Sequence, residues 1–213
     1  MATITTILWD VGGVLLTNGW DHQGRAAVLS QFGLDRDAFE QRHEEPNDAW
    51  EKGLITVEEY LQKTVFYEPR NFTSAEFVEA MKAQSKVLED SALGIVGALR
   101  ASETIFLGIV NNEARELNDY RIDQFGLRNY FRVFLSSCYV GLRKPGTEIF
   151  QLALDVLQRD ADSVAFVDDR PGNVQAASSL GIHGIRYQGA EHLKAEFEKF
   201  GIALSAEASS TIA

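Results

Sequence analysis

Five short apolar runs do most to limit what this chain can fold into. Positions 5–9, 105–110, 132–136, 164–167 and 184–187 are rich in Val, Ile and Phe, and each is too short to be a helix. Runs of this length and composition read as strands buried on both faces. Between the later runs lie helix-period patterns at 113–125, 147–158, 171–180 and 190–200. Pro171 suits a first helical turn and Gly181 a helix end. Strand alternating with helix implies right-handed crossovers and an α/β fold: a doubly wound parallel sheet with helices on both faces.

The stretch from about 20 to 87 breaks that alternation and reads as helix after helix: 23–32 with a stop at Gly33, then 35–43, 48–52, 56–66 and 74–88. Thr56-Val57-Glu58-Glu59 has the spacing of a capping box. A helical block inserted directly after the first strand is more economical as a lid than as an independent domain. The expected organisation is therefore a Rossmann-like core from 1–17 and 89–203, a helical cap from 18–88, and a small polar tail from 204–213 that frays. Phe39, Trp50, Tyr60, Phe66, Phe72 and Phe77 read as the cap's interior, and Trp20, Asp21 and His22 stand where the chain enters it.

Composition narrows the function classes. Among the 213 residues, 31 acidic side chains outweigh 20 basic ones, a formal charge of −11, which argues against a nucleic-acid binder. No apolar run reaches the ~20 residues of a membrane span. The single cysteine, Cys138, fits a reducing compartment and reads as a small buried hydrophobe within a strand. With no basic, apolar leader at the start, a cytoplasmic protein is expected. Monomer and homodimer are both open.

The chemistry sits at the ends of the apolar runs. Ile7-Leu8-Trp9-Asp10-Val11-Gly12-Gly13 ends a strand on a carboxylate and a diglycine turn. In an open α/β sheet, ligands bind at that edge. The second strand ends on Asn111-Asn112, two amides opening a helix around an anion-sized hole. Lys144 in Arg143-Lys144-Pro145 is held out of helix by the proline that follows. The fourth strand ends on Asp168-Asp169, with Asn173 nearby. Two adjacent carboxylates repel each other, and a hard cation such as Mg²⁺ relieves that. A carboxylate, two amides, a cation and a second acidic pair are the kit for phosphoryl transfer through an aspartyl intermediate.

These motifs, in this order and over nearly the whole length, resemble the haloacid dehalogenase-like (HAD) hydrolase superfamily. The resemblance implies Asp10 as nucleophile, with Asn111 and Lys144 holding phosphoryl oxygens. It implies Mg²⁺ on Asp10, the carbonyl of Gly12, and Asp169. Asp168 takes a supporting catalytic role, and Gly12, Gly13, Asn112 and Asn173 line the substrate. The implied activity is hydrolysis of a small phosphorylated metabolite, without nucleic-acid or membrane partners.

Position 12 departs from the pattern, because HAD phosphatases usually carry a second aspartate there as acid and base. Three readings follow. A working phosphatase takes its acid from Asp21, His22, His43, Glu44, Glu45 or Glu113, or acts on good leaving groups. A second reading is another HAD reaction: dehalogenation, or phosphonate cleavage with Lys52 as a Schiff-base lysine. The third is a non-catalytic or very slow binding protein. Arg115 and Arg121 read as helix-surface cations, and His183 and His192 have no partners that would make a metal site.

Overall fold

The computed structural model describes residues 3–204. Its sheet is built from β1 (Thr6–Trp9), β2 (Phe106–Asn111), β3 (Val133–Ser136), β4 (Val164–Asp168) and β5 (His183–Arg186). All pairs are parallel and the order is β3-β2-β1-β4-β5. The chain moves outward from β1 to one edge and then crosses to the other side. The strand that ends on Asp10 is therefore central, at the point where the winding reverses and a crevice opens. β1 and β4 are buried along their whole length, as their unbroken apolar runs require.

Helices α5 (Leu93–Ser102), α6 (Arg115–Gln124), α8 (Glu148–Leu157), α9 (Pro171–Ser178) and α10 (Ala190–Lys199) cover the sheet. One apolar layer joins Ile7 and Trp9 to α5 and α10, with Trp9 meeting Phe197 edge-on. The opposite layer joins Leu8 and Phe166 to α8 and α9. Such fully buried side chains contribute ~1.5–3 kcal/mol each, and together they hold the strand ends in place. Pro171 stands in the first turn of α9. Strand limits shift from the sequence reading by a residue at most. The tail beyond Leu204 lies outside the described residues.

The insertion contains α1 (His22–Gln31), α2 (Arg36–Glu51), α3 (Val57–Thr64) and α4 (Ser74–Lys82). Their apolar faces meet in a separate core containing Trp20, Phe39, Trp50, Tyr60 and Phe77, with Phe66 and Phe72 packed against it and Leu117 of α6 as part of its floor. The capping box at Thr56 and Glu59 is formed, and Thr73 with Glu76 makes a second.

Three expectations need correction, and one helix had not been foreseen. The helices read at 35–43 and 48–52 are one helix, α2, running through Pro46. Phe39, His43, Pro46 and Trp50 form a buried stripe at helical spacing. Burial of that stripe outweighs the ~3 kcal/mol that an interior proline costs. α4 stops at Lys82, not at 88, because the chain turns back to pair beside Thr17. There Thr17 N donates to Lys86 O at 2.8 Å, and Thr17 Oγ1 donates to Gln84 O at 2.9 Å. Cys138 lies in the short helix α7 (Ser137–Val140), not in a strand, and burial pushes its thiol up to about 12. α5 was not expected from the sequence, since Gly94 and Gly97 dilute its pattern and it has no side-chain cap.

Candidate active site

Asp10 follows the central strand directly, and its main-chain N–H donates to Val167 O at 2.9 Å. The diglycine then lets the chain turn sharply. Gly13 has φ of +72°, and a Cβ there would collide with the Asp169 carboxylate. The backbone and that carboxylate are in contact only because residue 13 has no side chain.

Lys144 binds two of the strand ends together. Its Nζ lies 3.0 Å from Asp10 Oδ1 and 2.6 Å from Asp168 Oδ2, and the residue is 3% exposed. Asn112 fixes the lysine's main chain from both sides. Lys144 N donates to Asn112 Oδ1 at 2.9 Å, and Asn112 Nδ2 donates to Lys144 O at 2.8 Å. The Asp168 carboxylate also accepts from Arg170 N at 2.8 Å and from Asn173 Nδ2 at 2.9 Å. Its lone pairs are thus committed to protein donors.

Oxygens of Asp10, Asp168 and Asp169 all lie within 4.8 Å of one another. Asp169 Oδ1 is buried without any hydrogen-bond partner, a costly state for a carboxylate. Burial pushes the Asp10 carboxyl up to about 7, against the pull of Lys144, and the Asp168 charge adds to the rise. Burial, followed by Asp168, also raises Asp169. A divalent cation between Asp10 and Asp169 would satisfy the orphaned oxygen and relieve this repulsion. The residues present therefore fit such an ion.

A cavity of about 240 Å³ opens beside Asp10, between the sheet edge and the cap. Gly12, Asn112, Lys144 and Asn173 line it. Asn111 does not: it is buried and donates to Asn118 Oδ1 at 3.0 Å. Of the acids and histidines considered for position 12, only Asp21, His22 and Glu113 reach the wall. Asp21 caps α1 through Gln23 N and Gly24 N. Glu44 and Glu45 are exposed, and His43 is buried in the cap against Tyr60. Lys52 pairs with Asp48 at 2.7 Å and does not line the cavity, so nothing in the geometry supports a Schiff base there.

Arg121 corrects the sequence reading. It is 2% exposed, pairs with Glu113 at 2.6 Å and donates to Thr17 O. Asn18, Glu51, Arg143 and Arg170 also line the cavity without having been assigned a role. Arg143 bridges Asp48 at 2.7 Å and Glu51 at 2.6 Å, joining the loop beside Lys144 to α2. These pairs form between residues up to 104 positions apart, so no local pattern could reveal them.

A model of haloacid dehalogenase-like hydrolases matches residues 4–181. The chain belongs to that family. Among similar proteins, flavin mononucleotide hydrolase 1 of Arabidopsis thaliana is 28% identical over 185 residues, 84% of this chain and 71% of the plant protein. Bifunctional epoxide hydrolase 2 of Rattus norvegicus is 28% identical over 137 residues, but the match spans only 24% of its length. A HAD family enzyme of Bacteroides thetaiotaomicron, crystallised with magnesium and inorganic phosphate, has a similar fold. Its TM-score is 0.73 at 19% identity, covering 87% of this chain and 95% of that one.

Proposed function

We propose that this HAD hydrolase is a Mg²⁺-dependent phosphatase of a small phosphorylated metabolite, acting through an aspartyl-phosphate on Asp10. The observation that carries this reading is the acidic trio of Asp10, Asp168 and Asp169 crossed by Lys144. Dehalogenation, which needs no metal, would leave the orphaned Asp169 carboxylate without a task. In the proposed reaction, an Asp10 carboxylate oxygen attacks phosphorus as the P–O ester bond breaks, and the leaving oxygen takes its proton from water; a second water then cleaves the acyl phosphate, releasing inorganic phosphate and a proton and restoring the Asp10 carboxylate. Lys144 offsets charge between the nucleophile and the incoming phosphoryl group. Asp168, held by Arg170 N and Asn173, keeps that lysine in place. The bound cation would supply Lewis-acid stabilisation of the phosphoryl oxygens and favour the ionised form of Asp10.

Asn112 positions Lys144 through its main chain, and the cap forms the far wall of the cavity that takes the leaving group. The test is phosphate release from p-nitrophenyl phosphate and acetyl phosphate, with Mg²⁺ and with EDTA. Asp10→Asn and metal removal should each lower turnover by at least 100-fold. Halide release from a 2-haloacid in EDTA would overturn the reading. So would binding of phosphate esters with no turnover of any.

A further inference from the structure

We infer that Asn18 serves the leaving group where position 12 has no side chain: its amide holds the water that gives the departing oxygen its proton. Asn18 is a positioning residue, acting through that water. This deepens the phosphatase reading and rests on it.

An alkoxide leaves readily only as it gains a proton, and the acids that share the cavity wall with Asp10 are committed elsewhere. Asp21 caps α1, Glu113 pairs with Arg121, and Glu51 pairs with Arg143. Four asparagines line the same wall. Asn47 Nδ2 donates to Glu51 Oε1 at 3.1 Å, Asn112 holds the main chain of Lys144, and Asn173 donates to Asp168. The amide of Asn18 bonds to no protein group among the described residues. An amide both donates and accepts, so it can fix the orientation of a water. As the P–O bond breaks, its electron pair stays on the ester oxygen, which takes a proton from this water. The hydroxide so formed is neutralised by the proton released when the acyl phosphate is cleaved.

The backbone puts that amide beside the nucleophile's turn. Directly after Asp10 the chain folds back on itself: Gly13 N donates to Leu16 O at 2.8 Å, and Leu16 N donates to Val11 O at 2.9 Å. Residue 18 is thereby carried over Gly12. A Cβ built on Gly12 would lie 2.8 Å from Asn18 Oδ1 and 3.6 Å from its Cγ. The amide thus fills the space that a side chain at position 12 would take, in the cavity that Asp10 also lines.

Its neighbours hold it there. Thr17 N donates to Lys86 O at 2.8 Å, and Thr17 O accepts from Arg121. On the other side, a Cβ on Gly19 would lie 2.5 Å from Glu113 Oε2 and 3.0 Å from Arg121 Nη1. The buried Arg121–Glu113 pair therefore packs against bare main chain at residue 19 and bonds to it at residue 17, fixing the backbone on both sides of Asn18. His22 and Arg170 are the exposed polar side chains of the wall. A guanidinium keeps its protons. The His22 Nδ1 accepts from Arg25 Nη2 at 2.8 Å, which leaves Nε2–H as a donor and makes His22 the rival to be tested.

The experiment measures kcat/KM at neutral pH with Mg²⁺ for acetyl, p-nitrophenyl, phenyl and ethyl phosphate. It compares the native protein with Asn18→Ala, Asn18→Leu and His22→Gln. In Asn18→Ala the loss should grow with the basicity of the leaving group, and the ratio of ethyl to acetyl phosphate turnover should fall at least fivefold. Asn18→Leu, which keeps much of the volume but none of the hydrogen bonding, should lower that ratio equally. Damage to the fold lowers all four substrates in proportion, so a parallel loss would overturn the inference, as would no loss. A lowered ratio in Asn18→Ala alone would overturn it too, since filling space would then be what matters. A lowered ratio in His22→Gln with none in the Asn18 variants would hand the role to the histidine. Each of these results leaves the phosphatase reading intact. Native protein that turned over acetyl and p-nitrophenyl phosphate but not the ethyl ester would likewise overturn only the role of Asn18. Native protein inert on all four would overturn both.

Discussion

Gly12 leaves Asp10, the proposed nucleophile, without a neighbouring acid, and Asn18 occupies the space that a side chain at position 12 would enter. A Cβ at position 12 would lie 2.8 Å from Asn18 Oδ1, while the backbone itself is outside the left-handed region. An aspartate is therefore opposed by one short side chain and not by the main chain. General acid catalysis is worth ~10²–10⁴-fold. In the double variant Gly12→Asp with Asn18→Ala, turnover of an alkyl phosphate should rise at least tenfold. Turnover of acetyl phosphate, whose leaving group needs no proton, should stay within about threefold. Equal gains on both substrates would show that protonation is not what limits the native protein.

His43 gives a second prediction at this scale. Trp20 Nε1–H donates to Tyr60 Oη at 2.7 Å, so the tyrosine's own proton goes to His43 Nδ1, also at 2.7 Å. That imidazole must be neutral to accept it. Burial lowers its pKa from 6.5 to about 4; Arg25 and His22 add to the fall, and Glu40 opposes it. Between those values the unfolded chain binds a proton that the folded one does not. This contribution to stability is therefore complete above pH 6.5 and lost as pH falls towards 4, about 3 kcal/mol in all. Denaturant midpoints should decline over that window, and His43→Phe should flatten the decline.

Among the elements, α2 is the one on which both cap and site depend. Its buried stripe builds the cap core, and its last turn presents Asp48 and Glu51 to Arg143, the residue before Lys144. Arg143→Ala leaves those two carboxylates without their cation and frees the helix end from the sheet edge. Hydrogen exchange in the last turn of α2 should speed up at least tenfold, and KM should rise more than kcat falls. Unchanged exchange would mean that two other contacts hold the cap by themselves: Ser137 Oγ donating to Glu51 O at 2.6 Å and Trp50 Nε1 donating to Glu116 Oε2 at 2.9 Å.

The strands were legible because burial on both faces leaves an unmistakable apolar run. Asp10, Lys144 and Asp168 were legible as strand or loop ends. α2 was misread because Pro46 is a local breaker whose cost is met by packing. Arg121 was misread because a helix position reveals nothing about a chain crossing that arrives from residue 17. Glu51 and Asn18 carry no motif and acquire meaning only where the cavity closes.

At the scale of the whole molecule, a chain of net charge −11 has a substrate-sized opening whose own charges are nearly balanced. A dianionic phosphate ester, the proposed substrate, would be repelled on approach by the net negative charge and attracted only close to the cavity, where Lys144 and Arg170 lie. Salt screens the long-range term within ~8–10 Å at physiological strength and leaves short contacts largely intact. At saturating Mg²⁺, kcat/KM for such a substrate should rise about two- to threefold between 10 and 150 mM monovalent salt, with kcat unchanged. A fall over that range would show that the cations lining the cavity outweigh the net charge in steering the substrate. Among the described residues, no helix is long and apolar enough to cross a membrane.

The chain leaves the sheet at Thr17 and comes back at Gln84–Leu88, and those two crossings are hydrogen-bonded side by side. Whatever lies between them spans almost no distance from end to end. A different insert could be grafted across the same gap without stretching the path out of β1, provided that it again met Arg143 beside Lys144 with a carboxylate. The hinge is thus open to exchange, while the single ionic seam to the loop before α8 is what any replacement has to rebuild.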